Sequence, residues 1–173
     1  KETSELFGVI PVAACNTTVQ MAIWLNKEIN NVNDLNGLKM RIPGLGGEGL
    51  KRAGGTPVNL PGGDLFTSLK TGAIDATEWV GPYNDLAFGL HKAAKYYYYP
   101  GWHEPGTTLE AIINKQAFDA LPKDLKRIVE NACKVVNQNM SLEFTEKNNT
   151  TLATLVNKHR VDVRRLPDDV LNK

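Results

Sequence analysis

The chain has almost no net charge, few cysteines and no long hydrophobic run. Its 20 Lys and Arg against 19 Asp and Glu leave a formal charge of +1. That balance argues against nucleic acid, whose binders present a basic face, and against a charged tail. No apolar stretch reaches the ~20 residues a membrane-spanning helix requires, so direct membrane insertion is not expected. A charged segment followed by an apolar one, as in a secretory leader, is also missing. Only Cys15 and Cys133 are present. A disulfide between them is open in an oxidising compartment, but a lone pair does not fix it; two small buried hydrophobes is the better reading. The histidines, His91, His103 and His159, lack metal-ligand spacing. No serine or cysteine sits where a nucleophile would need a base.

What is present is globular: 173 residues, 42% hydrophobic and 23% charged. That is enough for one domain with a sizeable core, or for part of something larger. The chain opens at Lys1-Glu2-Thr3-Ser4 and enters a strand-like apolar run, Leu6–Ala14, almost at once. It stops at Asp168 to Lys173, which reads as the first turn of a helix. Both ends are expected to be edges of a fragment.

Apolar runs and turn signals predict strands over Leu38–Ile42, Pro57–Leu60, Ile74–Val80, Tyr96–Tyr99, Thr107–Ile113 and Val161–Leu166. Met21–Leu25 is a further short apolar run. Asp64 is expected to cap a two-turn helix ending at Gly72. Shorter helical stretches follow Gly81-Pro82 and start at Lys115. From Pro122, a preferred first helical residue, Leu125, Ile128, Val129, Ala132, Val135, Val136, Met140, Phe144, Leu152 and Leu155 form one apolar stripe. Unbroken to Asn157, this helix would be about 50 Å long at 1.5 Å per residue, more than a single domain needs. Strands alternating with helices predict an α/β fold with a mixed, largely parallel sheet.

The chemistry-bearing residues lie near predicted strand ends. Arg41 stands in Met40-Arg41-Ile42-Pro43-Gly44, and if buried it needs a partner; its planar fork matches a carboxylate. Glu78-Trp79 ends the Ile74 strand. Alternation puts adjacent side chains on opposite faces, so one of the two is expected to act through its backbone carbonyl. A carboxylate with a carbonyl suits Na⁺ or Ca²⁺ better than Zn²⁺, and Glu104 could add a second carboxylate. His103 beside Glu104 is an acid/base pair on paper. Trp79, Tyr83 and Trp102 suit a pocket wall. Gly44-Leu45-Gly46-Gly47-Glu48-Gly49 fits the dinucleotide pattern G-x-G-x-x-G. Its preceding strand is too polar and its following helix too short, so a flexible turn approaching a ligand is the better account. A nucleotide-dependent enzyme built on Gly44–Gly49 is therefore the alternative.

Asn16-Thr17-Thr18-Val19-Gln20-Met21 with Trp24, Asp34 through Gly44, Gly72 through Pro82, and Tyr96–Gly106 together resemble the solute-binding proteins of TRAP transporters, the DctP/TakP-like family. The likeness spans roughly residues 6–156 and lies nearest the branch that takes 2-oxo acids or lactate-like 2-hydroxy acids. The resemblance implies a non-catalytic periplasmic receptor delivering a small monocarboxylate to membrane permease subunits. A sensor domain of the same binding fold is a further possibility. The fold implied is a partial two-lobe periplasmic-binding-protein arrangement. Residues 1–121 would be mainly the second lobe with hinge-crossing strands, 122–157 the long bridging helix, and 158–173 a return segment. Most of the first lobe and the C-terminal tail would be missing. By the same resemblance Arg41, Gln20 and Trp79 bind substrate, and Glu78, Trp79 (through its carbonyl) and Glu104 hold Na⁺ or Ca²⁺, with no organic cofactor. Thr18 in place of a common glycine, and His103 in place of a frequent tryptophan, depart from the pattern.

Overall fold

The computed structural model describes Ser4 and residues 6–173. The expected opening at Lys1 to Thr3 lies outside the described residues. The elements run β1 (Val9–Val19), β2 (Ile23–Leu25), β3 (Lys39–Arg41), α1 (Gly44–Arg52), β4 (Thr56–Val58), α2 (Leu65–Thr71) and β5 (Ala76–Thr77). Next come α3 (Pro82–Ala87), β6 (Tyr96–Tyr99), β7 (Gly106–Asn114), α4 (Lys115–Asp119), α5 (Lys123–Asn157), β8 (Asp162–Arg165) and α6 (Asp168–Leu171). Short 3-10 turns cover Val32–Leu35, Gly62–Asp64 and Leu90–Lys92.

The chain divides into two units, one of residues 1–18 and 106–146, the other of 19–105 and 147–173. In the first, β1 pairs with β7 in a two-stranded sheet. Asn114 caps α4, its side chain accepting from the Ala117 amide at 2.9 Å. Thr18 adopts a φ of 57°, the left-handed region that glycine occupies at no cost. Cys15 and Cys133 are both free and half-buried.

The second unit is built on a six-stranded sheet ordered β4-β3-β5-β2-β6-β8. β3 is parallel to β4 and β5, and β6 to β8, while β2 runs antiparallel to both β5 and β6. This is the mixed, largely parallel α/β sheet expected. Period-two alternation divides the core. Ile23, Leu25, Tyr96 and Tyr98 face one cluster with Met40, Ile42 and Leu50. Trp24 and Tyr97 face the other with Leu65, Leu69, Ile74, Leu90 and Leu155. Four consecutive tyrosines thus serve both sides of one strand, and the first three are buried.

Several local expectations change. Gly44 to Gly49 is not a turn but most of helix α1. Glycine is a poor helix former, yet here it permits close packing. A Cβ on Gly47 would stand 2.8 Å from the Ile42 carbonyl, one on Gly46 3.1 Å from the His103 Cβ, and one on Gly49 3.1 Å from the Trp102 ring. Asp64 precedes α2 but makes no side-chain cap bond, because its φ of −94° and ψ of −8° are helical rather than extended. The Ile74–Val80 strand shrinks to Ala76–Thr77. The stripe on α5 is exposed at Leu125, Ile128, Val135 and Val136, and buried at Phe144 and Leu155.

Candidate functional site

Register brings the first site residues together. Parallel pairing sets Arg41 of β3 opposite Thr77 of β5, and the Glu78 amide donates to the Arg41 carbonyl at 3.3 Å. At that point β5 ends, so alternation no longer applies. Glu78 and Trp79 both turn to Arg41, contrary to the expectation that only one could. The Arg41 Nη1 donates to Glu78 Oε1 in a part-buried ion pair. Its Nε donates to the Leu60 carbonyl at 3.2 Å, and its Cζ stands 5.4 Å from the Trp79 ring centroid. The guanidinium is therefore held on three sides. Gly62 packs beneath the Trp79 ring, where an added Cβ would come within 2.7 Å of it.

The loop after β6 supplies the next group. Gln20, itself buried, pins this loop from both ends. Its amide donates to the Pro105 carbonyl, and its carbonyl accepts from the Gly101 amide, each at 3.2 Å. Within the loop, His103 turns to Glu78 rather than to its neighbour Glu104. Its Nε2 lies 3.6 Å from Glu78 Oε2, with both side chains only 3% exposed. The acid/base pairing of His103 with Glu104 is thereby replaced by a row: Arg41, Glu78, His103. The Trp102 ring meets that of His103 edge-on at 5.4 Å. His103 and Glu104 also line a recess of about 360 Å³ with Pro43 and the first three residues of α1, Gly44 to Gly46.

Three side chains here carry buried nitrogens with no hydrogen-bond partner among the described residues: Nε1 of Trp79, Nε1 of Trp102, and both ring nitrogens of His103. Buried polar atoms are nearly always satisfied, so a group of orphaned nitrogens beside a fixed cation calls for a polar ligand. Oxygen donors for a cation are also present in Glu78 and Glu104. Among the described residues no three His, Cys, Asp or Glu side chains converge to hold a metal. A cation here would have to draw on main-chain and ligand oxygens as well, which fits a hard ion and not zinc.

Sequence reasoning missed Asp85. It lies in the first turn of α3 and is 1% exposed. Its Oδ2 accepts from Trp24 Nε1 at 2.7 Å and from the Tyr97 hydroxyl at 2.6 Å, and its Oδ1 accepts from the Val80 amide at 3.1 Å. The carboxylate thus ties the segment after Trp79 to β2 and β6, across the stacked Trp24 and Tyr97 rings 3.8 Å apart. Burial pushes its carboxyl up from 3.8 to about 6, against the hydrogen bonds from Tyr97, Trp24 and Val80. An acidic residue three positions after a helix-initiating proline was the only signal available.

Residues 6–173 match the model of the bacterial extracellular solute-binding protein family 7, DctP. The chain is 48% identical over 150 residues to the monocarboxylate 2-oxoacid-binding periplasmic protein all3028 of Nostoc sp. strain PCC 7120, covering 87% of this chain and 41% of that protein. It is 45% identical, with a TM-score of 0.92, to a TRAP periplasmic solute-binding protein from Pseudoalteromonas atlantica T6c with bound sodium and pyruvate, over 99% of this chain and 52% of that one. With the corresponding protein from Colwellia psychrerythraea, solved with bound calcium and pyruvate, it shares 44% identity and a TM-score of 0.94, at the same two coverages of 99% and 52%. The chain spans about half the length of these relatives. With residues 6–173 matched and these relatives alongside, the chain belongs to the DctP family of bacterial extracellular solute-binding proteins.

Proposed function

We propose that this chain forms the ligand-binding part of a periplasmic receptor that captures a small monocarboxylate, a 2-oxo or 2-hydroxy acid. The receptor hands it to the membrane subunits of a TRAP transporter. The observation that carries this is the part-buried Arg41, held by Glu78 and the Trp79 ring, at a site where buried nitrogens of Trp79, Trp102 and His103 have no hydrogen-bond partner among the described residues. A planar cation fixed in place recognises a carboxylate through two parallel hydrogen bonds, and neighbouring N–H donors suit the adjacent 2-oxygen. Arg41, Gln20 and Trp79 then form the substrate side. Glu78, the Trp79 carbonyl and Glu104 form the cation side, for Na⁺ or Ca²⁺. The cation supplies a counter-charge for Glu78, the group that Arg41 otherwise neutralises.

The bound pyruvate with sodium or calcium in two relatives supports this pairing. Catalysis has no part in it. The nucleotide alternative loses its footing, because the space at Gly46, Gly47 and Gly49 is taken by Ile42, His103 and Trp102 of the chain itself, leaving no close backbone approach for a pyrophosphate. The same reading carries the lobe partition: 1–121 mainly second lobe with hinge-crossing strands, 122–157 the bridging helix, 158–173 the return segment.

The test is calorimetry of the full-length protein with pyruvate, lactate and longer 2-oxo acids, each with and without Na⁺ or Ca²⁺. The expected result is saturable binding of a 2-oxo or 2-hydroxy acid that weakens when both cations are removed. No binding under any of these conditions would exclude the substrate class.

A further inference from the structure

A second polar recess lies at the other end of the sheet from Arg41. β6 and β8 are parallel, so the residues just before them, 93–95 and 159–161, lie side by side at their N-terminal ends. Arg41 and Glu78 sit at the C-terminal ends of β3 and β5. This recess, of about 290 Å³, is lined by Asn26, His91, Lys92, Lys95, His159 and Arg160, among others, and by no carboxylate among the described residues.

Most of its ordinary polar groups are engaged. Asn26 donates to the Ala93 carbonyl at 2.7 Å and accepts from the Lys95 amide at 3.1 Å. Lys95 Nζ donates to the Tyr96 hydroxyl at 3.1 Å. The carboxylates that act on Lys95, Glu28 and Asp162, are each paired with Arg164, at 2.9 and 2.8 Å. What remains is positive. Both ring nitrogens of His91 are buried without a hydrogen-bond partner among the described residues, and its ring lies 4.3 Å from that of His159.

Arg160 adds a second signal. Its φ of 58° is left-handed, just beyond the end of α5, where glycine is the ordinary occupant. An arginine held in a conformation that disfavours it suggests that its charge is needed. The helix dipole accounts for cations at a helix C-terminus. It does not account for His91 and Lys92, which come from a separate 3-10 turn, Leu90–Lys92, nor for an imidazole whose two buried nitrogens have no hydrogen-bond partner among the described residues. A metal ion fits poorly, since two imidazoles beside Lys92 and Arg160 offer no negative ligand.

We infer that this recess binds a small oxyanion of the phosphate class, held by Arg160, Lys92 and the imidazoles of His91 and His159. Burial, then the positive charge of His159 and Lys92, hold His91 below its ordinary value. The charged or titratable groups around it are His159, Lys92, Lys95 and Arg160. A bound anion offsets their repulsion, so anion occupancy and His91 protonation rise together as pH falls. The site is independent of the carboxylate site at Arg41.

The experiment is an NMR titration of the full-length protein with inorganic phosphate at about pH 6, following the His91 and His159 ring protons. A parallel arm uses phosphatidylcholine vesicles with and without phosphatidylglycerol. The expected result is a saturable shift of both imidazoles with phosphate, weakened at least about tenfold in Arg160→Gly and in Lys92→Ala. Glycine suits the left-handed backbone, so Arg160→Gly should melt no earlier than the wild type. A shift with phosphatidylglycerol vesicles and not with free phosphate would assign the same site to a lipid headgroup. No shift with either probe up to about 10 mM, or equal affinity in both variants, overturns the inference.

Discussion

Arg41 and Glu78 form an ion pair inside the second unit, with side-chain exposures of only 11% and 3%. Burying two charges rarely adds net stability, because desolvation consumes most of the Coulombic gain. Breaking such a pair from one side is another matter. Glu78→Gln leaves the guanidinium without a counter-charge and is expected to cost about 3 kcal/mol in urea denaturation. A cost below about 1 kcal/mol would match an exposed pair instead.

Asp85 predicts a pH dependence. With its carboxyl at about 6 in the folded protein and 3.8 as the model value, the folded state binds the proton more tightly. The stability this group contributes is therefore fully present below about pH 4 and is lost as pH rises through about 6. Asp85→Asn removes this dependence. The stability difference between wild type and Asp85→Asn should grow by about 2 kcal/mol in favour of wild type from pH 7 to pH 4.5. A difference that stays flat, or grows in the other direction, refutes the assignment.

Tyr97→Phe removes one donor from that carboxylate and nothing else of comparable size. It should cost about 1–3 kcal/mol at neutral pH and raise the Asp85 carboxyl further. Chemical denaturation at pH 7, with the Asp85→Asn and double variants alongside, reads the coupling. Additive single effects would mean that the 2.6 Å hydrogen bond contributes little.

Gly47→Ala tests the close packing of α1. Alanine favours helix by about 1 kcal/mol, but its Cβ would meet the Ile42 carbonyl at 2.8 Å. Overpacking should win, with a net loss of about 1–3 kcal/mol in thermal denaturation. Gly63→Ala, where an added Cβ meets nothing within 4 Å, should change stability by less than about 0.5 kcal/mol. A stabilised Gly47→Ala would mean that the helix stands off from Ile42.

These residues also mark what the sequence could reveal. Tyr96–Tyr99 and the helix to Asn157 were legible because β-branched or aromatic content and apolar periodicity are local properties. The extent of β5 was not, because Glu78 leaves the ladder to meet Arg41, a partner 37 positions away. The helix over Gly44–Arg52 was hidden for the same reason: its glycines answer to Ile42, Trp102 and His103, not to helix propensity. Thr18, which stands where the resemblance puts glycine, adopts glycine's left-handed backbone. At the site, Arg41 and Glu78 could be singled out by type and position. The turn of His103 toward Glu78 depends on the pinning of its loop by Gln20, and the role of Asp85 on burial; neither leaves a pattern in sequence.

The central claim is that Arg41 holds a ligand carboxylate. Calorimetric titration of pyruvate into full-length wild-type protein and Arg41→Ala, in saturating Na⁺ or Ca²⁺, tests it most directly. Loss of a charge-assisted bidentate pair should weaken binding by at least about 2–3 kcal/mol, on the order of 30- to 150-fold. Affinity in Arg41→Ala within about threefold of wild type would contradict it.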